Sequence, residues 1–197
     1  MATPMPATAL DPRTALVVID LQRGISAFPT VHPFSGVVAN TLRLVEAFRR
    51  AELPVVLVTV AFSPDGADRV RSRTEIPLRP LPTAPEFTQL VPELAPKPGD
   101  ILLTKRQWSA FYGTELELQL RRRHVTGIVL TGVATSIGVD TTARAAHERA
   151  YNLTFASDAI TDMDPAAHDF VMTKIFPRIG EVDTTDAVLA LLAQTGY

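Results

Sequence analysis

Gly127-Ile-Val-Leu-Thr-Gly-Val-Ala-Thr-Ser-Ile-Gly-Val-Asp-Thr-Thr-Ala-Arg-Ala-Ala-His-Glu-Arg-Ala-Tyr-Asn-Leu-Thr-Phe-Ala156 is the stretch that decides the fold. Its first seven residues are a largely apolar run, residues 137–150 read as a helix, and residues 152–156 form another strand-length run. A run without strict polar alternation suits a strand buried on both faces, and strand–helix–strand at this spacing is the parallel crossover unit.

The pattern repeats outward in both directions. Toward the N-terminus, Ala15-Leu-Val-Val-Ile19 is a continuous apolar run, and residues 37–51 carry Val38, Leu42, Val45 and Phe48 at helical spacing. Residues 54–60 and 101–104 read as further buried strands, and residues 114–123 as an amphipathic helix with Leu116, Leu118 and Leu120. Toward the C-terminus come a helix over 164–176, a short strand over 179–182 and a closing helix over 184–194. Only residues 63–98 break the rhythm. They are rich in Pro and charge and weakly periodic, an excursion of the length that often carries function. Six strands separated by helices predict an α/β fold with a parallel sheet covered on both faces, the ligand site lying outside the carboxyl ends of the strands.

Composition narrows the function. A chain of 197 residues suits one domain, 1–197, that buries about 70% of its unfolded surface. Hydrophobic residues are 46% and charged residues 20%, and the net charge is -2, with no basic footprint for nucleic acid. No apolar run approaches the roughly 20 residues that span a bilayer, and the first nine residues lack the features of a signal peptide, so cytoplasmic residence is expected. There are no cysteines, which removes disulfides, thiolate metal sites and cysteine nucleophiles. The histidines His32, His124, His147 and His168 do not occur at metal-ligand spacing, so no metal is expected.

Three strand ends hold the candidate chemistry. Asp20 closes the first strand, where a carboxylate is costly to desolvate and caps, pairs or catalyses. Lys105 closes the third strand; it is either a snorkelling surface lysine or a partner reaching Asp20 across one intervening strand. The fourth strand runs into Gly132-Val-Ala-Thr-Ser-Ile-Gly138-Val139, small residues that let a backbone approach a ligand and present helix-start N–H groups to an anion; the plainer reading is a tight turn capped by Thr135 or Ser136. Residues 134–138 narrowly miss the G-x-S-x-G nucleophile elbow, which leaves Ser136 as a weak nucleophile candidate and His147 as a surface residue. Trp108, Phe111 and Tyr112 either wall an apolar pocket or pack ordinarily. Arg69, Arg71, Arg73 and Arg79 in the excursion are either solvated or bind a carboxylate.

Taken together, Ala15-Leu-Val-Val-Ile-Asp20-Leu-Gln22, Thr104-Lys105-Arg-Gln-Trp-Ser109-Ala-Phe111, Gly132-Val-Ala-Thr135-Ser-Ile-Gly138-Val and Thr142-Ala-Arg144 resemble the isochorismatase-like (cysteine hydrolase) superfamily, as do Tyr151-Asn152 and Asp158-Ala159. The resemblance implies a three-layer αβα fold with a six-stranded parallel sheet of Rossmann-like topology. It implies an Asp-Lys-Cys constellation in which Asp20 and Lys105 match the first two members, and a non-proline cis peptide at Val133-Ala134. Gly138 stands where most members carry the nucleophilic cysteine, which closes the covalent thiolate route and looks like the vinyl-ether-cleaving type. Nicotinamidase-like members hold a metal after the second strand, but here residues 61–66 contain no histidine. The resulting expectation is a hydrolase of a small carboxylate-type molecule, with neither metal nor cofactor. Asp20 would be its general acid, Lys105 the electrostatic partner, and Ala134, Gln107 and Phe111 pocket residues beside Gly138. A small-molecule-binding or assembly protein that lost its nucleophile is the alternative. No nucleic-acid or membrane partner is expected; a homodimer or larger homo-oligomer is.

Overall fold

A computed structural model describes residues 6–76 and 82–195. Six strands, β1 (Thr14–Ile19), β2 (Val55–Val60), β3 (Ile101–Lys105), β4 (Gly127–Val133), β5 (Asn152–Thr161) and β6 (Glu181–Asp183), form one sheet in the order β3-β2-β1-β4-β5-β6. Every pairing is parallel. The chain steps outward from β1 to β2 and β3, then returns to β4 and steps outward on the other side. The order therefore reverses between β1 and β4, and that is where open α/β sheets leave a crevice for ligands.

Helices cover both faces, which explains why the central strands are apolar throughout. Along β1, Leu16 and Val18 pack on one face beneath α1 (Phe34–Arg50) and α7 (Thr185–Gln194). Ala15, Val17 and Ile19 pack on the other beneath α3 (Leu116–Arg122), α4 (Asp140–His147) and α6 (Phe176–Ile179). Each fully buried Leu, Ile or Phe contributes roughly 1.5–3 kcal/mol, so the two clusters carry the fold. In α1, Val37, Val38, Thr41, Leu44, Val45 and Phe48 supply the buried stripe, and Arg49 and Arg50 complement the dipole at its C-terminus.

The elements depart from the sequence reading in three places, each with a local cause. The strand expected over 152–156 continues to Thr161, because the β4–β5 register shifts between Leu130 and Gly132 and then resumes with Gly132 opposite Ile160. Asp158, in the polar break, accepts the amide and hydroxyl of Thr185 at 2.7 Å each and so fixes the start of α7. The helix expected over 137–150 opens as a π-helical turn, Thr135–Val139, in which the Val139 amide donates to Ala134 O at 3.1 Å. The helix expected over 164–176 is α5 (Pro165–Phe170), a second π-helical turn (Val171–Ile175) and α6, where Pro177 has no N–H for a regular turn. The excursion holds α2 (Pro85–Thr88) and a 3-10 turn, Pro92–Leu94. No helix among the described residues is long and apolar enough to cross a membrane.

Candidate active site

Asp20 and Lys105 meet at the carboxyl edge of the sheet. The chain leaves β1 through Asp20 at φ 53°, a left-handed conformation that Asp tolerates better than most residues. Lys105 ends β3, one strand beyond β2, and its Nζ lies 2.7 Å from Asp20 Oδ2. The same ammonium donates to Gln107 O at 3.2 Å. Both side chains are buried, yet Asp20 Oδ1 has no hydrogen-bond partner. Leaving such an oxygen unpaired costs about 1–3 kcal/mol, so it is an unusual feature to find at a strand end. Burial pushes the Asp20 carboxyl above its ordinary pKa, and the charge and hydrogen bond of Lys105 oppose that only in part.

The turn after β4 closes the third side. Gly132 has φ +116°, and a Cβ there would lie 2.0 Å from Ile19 O, so only glycine lets β4 pass this close to β1. The Val133–Ala134 peptide is cis. Two anchors then fix the π-helical turn from behind. The Ser136 amide donates to Asp162 Oδ2 at 2.6 Å, and Thr135 Oγ1 is hydrogen-bonded to His168 Nδ1 at 2.8 Å. Burial and the neighbouring His32 hold His168 below the usual histidine pKa. Gly138 faces the pair: a Cβ on it would stand 3.4 Å from Asp20 Oδ2 and 3.0 Å from Ile19 Cγ2.

These groups line a cavity of about 690 Å³, a volume typical of small-molecule sites. Asp20, Lys105, Ala134 and Gly138 belong to its lining together with Phe28, Phe62, Trp108 and Met163. The segment after β2 contributes Arg69 and Arg71. The Arg69 guanidinium lies 4.6 Å from the centre of the Phe62 ring. Arg106 is bound to Asp68 at 2.7 Å.

Most residues singled out in the sequence converge here, with exceptions. Asp20, Lys105, Gly138, Ala134 and Gln107 line the cavity. Phe111 does not. Its ring is buried in the core beneath the sheet, tilted against Tyr151 at 6.0 Å and capped by Arg149 at 4.9 Å. The chain turns inward there because the Ala110 amide is held by Thr142 Oγ1 at 2.9 Å. Tyr112 is exposed, as are Arg73 and His147, while Arg79 lies outside the described residues. Ser136 Oγ makes no hydrogen bond to a base among the described residues, which removes the arrangement a serine nucleophile needs. After β2, Asp65 bonds Ser63 and the Ala67 amide and Asp68 bonds Ser63 and Arg106, and no group of three or more His, Asp or Glu that could hold a metal occurs among the described residues.

Two organising residues gave no signal in the sequence. Gln22 is fully buried, its amide accepting from Val60 N at 2.7 Å and donating to Val60 O at 3.0 Å, which ties β1 to the end of β2. Asp162 accepts from the Ser136, Met163 and Asp164 amides, so one carboxylate joins two walls of the cavity.

The chain is similar to known proteins in sequence and in fold. The chain is 42% identical over 181 residues to the uncharacterized isochorismatase family protein YwoC of Bacillus subtilis (strain 168), covering 90% of this chain and 93% of that protein. An isochorismatase family protein from Burkholderia thailandensis superposes with a TM-score of 0.91 at 46% identity, over 94% of this chain and 98% of that one. N-carbamoylsarcosine amidase from Thermoplasma acidophilum superposes with a TM-score of 0.72 at 29% identity, over 88% and 97%. The family model for the isochorismatase domain matches residues 14–187, nearly the whole described sheet and its helices, and on that ground the chain belongs to the isochorismatase family of hydrolases.

Proposed function

We propose that the protein is a single-domain hydrolase of a small carboxylate-type substrate, working without metal or cofactor and cleaving a vinyl ether with Asp20 as general acid. One observation carries this reading: Asp20 lines the cavity, and burial favours its protonated form. A neutral carboxyl group there has a proton to give. Asp20 transfers that proton to the terminal vinyl carbon, water adds to the oxocarbenium-like carbon, and the resulting hemiketal expels the alcohol. A proton from the added water returns to the carboxylate, so the residue is regenerated. Lys105, at 2.7 Å, stabilises the carboxylate while it is ionised.

Gly138 is, in this reading, the position where cysteine hydrolases carry their nucleophile. The amidase relative is named for C–N cleavage; this chain has no cysteine with which to form an acyl-enzyme by a thiolate route. Without a Cβ at Gly138, the cavity that it and Asp20 both line is where substrate or water would enter. Turnover of isochorismate measured beside a panel of amides and esters tests the assignment. Vinyl-ether cleavage that Asp20→Asn reduces by at least about 100-fold is the expected result, in line with general-acid contributions. Full turnover by Asp20→Asn removes the mechanism.

A further inference from the structure

The cavity carries more positive charge than its chemistry at the strand ends uses. Its lining holds Arg69, Arg71, Lys105 and Arg106 against two carboxylates, Asp20 and Asp164. Lys105, Arg106 and both carboxylates have partners in the structure, and Arg69 lies over Phe62. Lys105 is held by Asp20 at 2.7 Å, and Arg106 is paired with Asp68 at 2.7 Å. Asp164 caps α5, accepting the Ala166 and Ala167 amides at 2.8 and 3.2 Å. Arg71 has no ion pair among the described residues; its guanidinium reaches only the Gly66 carbonyl, at 3.5 Å.

The segment that presents Arg69 and Arg71 is built rather than loose. Gly66 turns it at φ +63°, with its amide on Ser63 O at 2.8 Å. Asp68 folds back onto the Ser63 amide at 2.9 and 3.0 Å and holds Arg106, the residue after Lys105. Phe62 beneath Arg69 sets the height of that guanidinium. The segment is thereby tied to the strand end that carries the Asp20–Lys105 pair, while Arg71 is left exposed at the rim. Between floor and rim the walls are apolar, with Trp108, Phe62, Val70 and Met163 among them.

We propose that Arg71, with Arg69 beside it, forms an anion subsite at the rim of the cavity that reads a substrate carboxylate, while the substrate's apolar body lies against Trp108 and Phe62 and its labile bond reaches Asp20. The proposal rests on the hydrolase reading for its purpose, but its binding consequence stands alone. A guanidinium holds a carboxylate through paired charge-assisted hydrogen bonds, which a neutral amide of the same shape does not match. The preferred ligand is therefore an apolar-bodied carboxylic acid with the acid group remote from the reacting end.

Trp108 is the chain's single tryptophan and lines the cavity, so its fluorescence reports binding without turnover. Titration with 3-phenylpropionate and with its primary amide compares two ligands that differ in charge alone. The acid is expected to bind at least about tenfold more tightly, a gap of ~1.4 kcal/mol. Arg71→Gln should close most of that gap by weakening the acid and leaving the amide unchanged, and Arg71→Lys should restore part of it. Arg71 is exposed in irregular chain, so both variants should keep the native circular dichroism. Equal affinities for acid and amide in the native protein overturn the subsite, as do an acid that shows no saturable binding and an Arg71→Gln variant that weakens both ligands alike. A native protein that discriminates acid from amide yet hydrolyses nothing keeps the subsite and removes the hydrolase reading instead.

Discussion

Gly138 and Asp20 face one another so closely that the Cβ missing from the glycine would stand 3.4 Å from the Asp20 carboxylate. The two residues come from the ends of β4 and β1, the neighbouring strands at which the sheet order reverses. The absence of a side chain on one therefore defines the space in front of the other. On the proposed function, mechanism and specificity both follow from what enters that space.

On the proposed mechanism, the Asp20–Lys105 pair sets the pH dependence of turnover. Burial raises the Asp20 pKa more than Lys105 lowers it, and on that mechanism the acid form is the one that donates. Activity should be high at low pH and fall as pH rises through the raised value, later than an ordinary aspartate would allow. Stability follows the same sign: the contribution from the protonated group is full below the unfolded pKa and is lost as pH rises through the folded one. Lys105→Met removes the opposing cation, so the falling limb should move to higher pH. At pH values that ionise Asp20 the variant should also lose about 3–5 kcal/mol, the cost of an uncompensated buried charge. A pH–rate profile and urea melts at several pH values check this; a limb that moves to lower pH contradicts the assignment.

Gly132 should tolerate no side chain. Gly132→Ala places a methyl 2.0 Å from Ile19 O at φ +116°, which forces β4 away from β1. The expected destabilisation is about 3 kcal/mol or more, well above the common range for point substitutions. Denaturant unfolding read by circular dichroism measures it. A midpoint within error of the native protein would show that the two strands are not held as described.

Much of this was legible in sequence because parallel strands buried on both faces leave unmistakable apolar runs, such as Ala15-Leu-Val-Val-Ile19. Their ends lie along the cavity, and Asp20, Lys105 and Gly138 at those ends all line it. Phe111 was misplaced because an aromatic near a strand end looks the same whether it faces a pocket or the core; the difference lies in the Thr142 bond to Ala110, which spacing does not reveal. Asp162 escaped because the polar Ser157-Asp158 pair suggests an early end to β5. Only the register shift opposite Leu130 and Gly132 lets the strand continue to the residue before it. Gln22 escaped for a related reason, since its role is to satisfy backbone groups of a strand remote in sequence.

Assembly is the next expectation. Tyr112 is 69% exposed and Ile76 83% exposed, both on segments that flank the cavity-lining residues. We expect a homodimer or larger species in solution. Light scattering at micromolar concentration showing only the 21.4 kDa chain would contradict it.

The most discriminating substitution is Gly138→Cys. A new Cβ would meet Ile19 Cγ2 at 3.0 Å, so that methyl must yield by a few tenths of an ångström; the fold should survive with a loss of about 1–3 kcal/mol. The thiol would then stand beside Asp20 and Lys105, and the nearby ammonium should favour its thiolate, making it the one site alkylated by iodoacetamide in a chain with no other cysteine. If the native site cleaves vinyl ethers, the added side chain fills the space that substrate or water uses. Gly138→Cys should then lower kcat/KM at least about tenfold, a barrier increase of ~1.4 kcal/mol, while the native protein remains active. The opposite pattern identifies a site that lost its nucleophile: an inactive native protein, and a variant that gains amide or ester hydrolysis blocked by iodoacetamide. Glycine cannot be both an occupied space and a missing group, so the two assays on one pair of proteins decide between a working acid catalyst at Asp20 and an abandoned cysteine site.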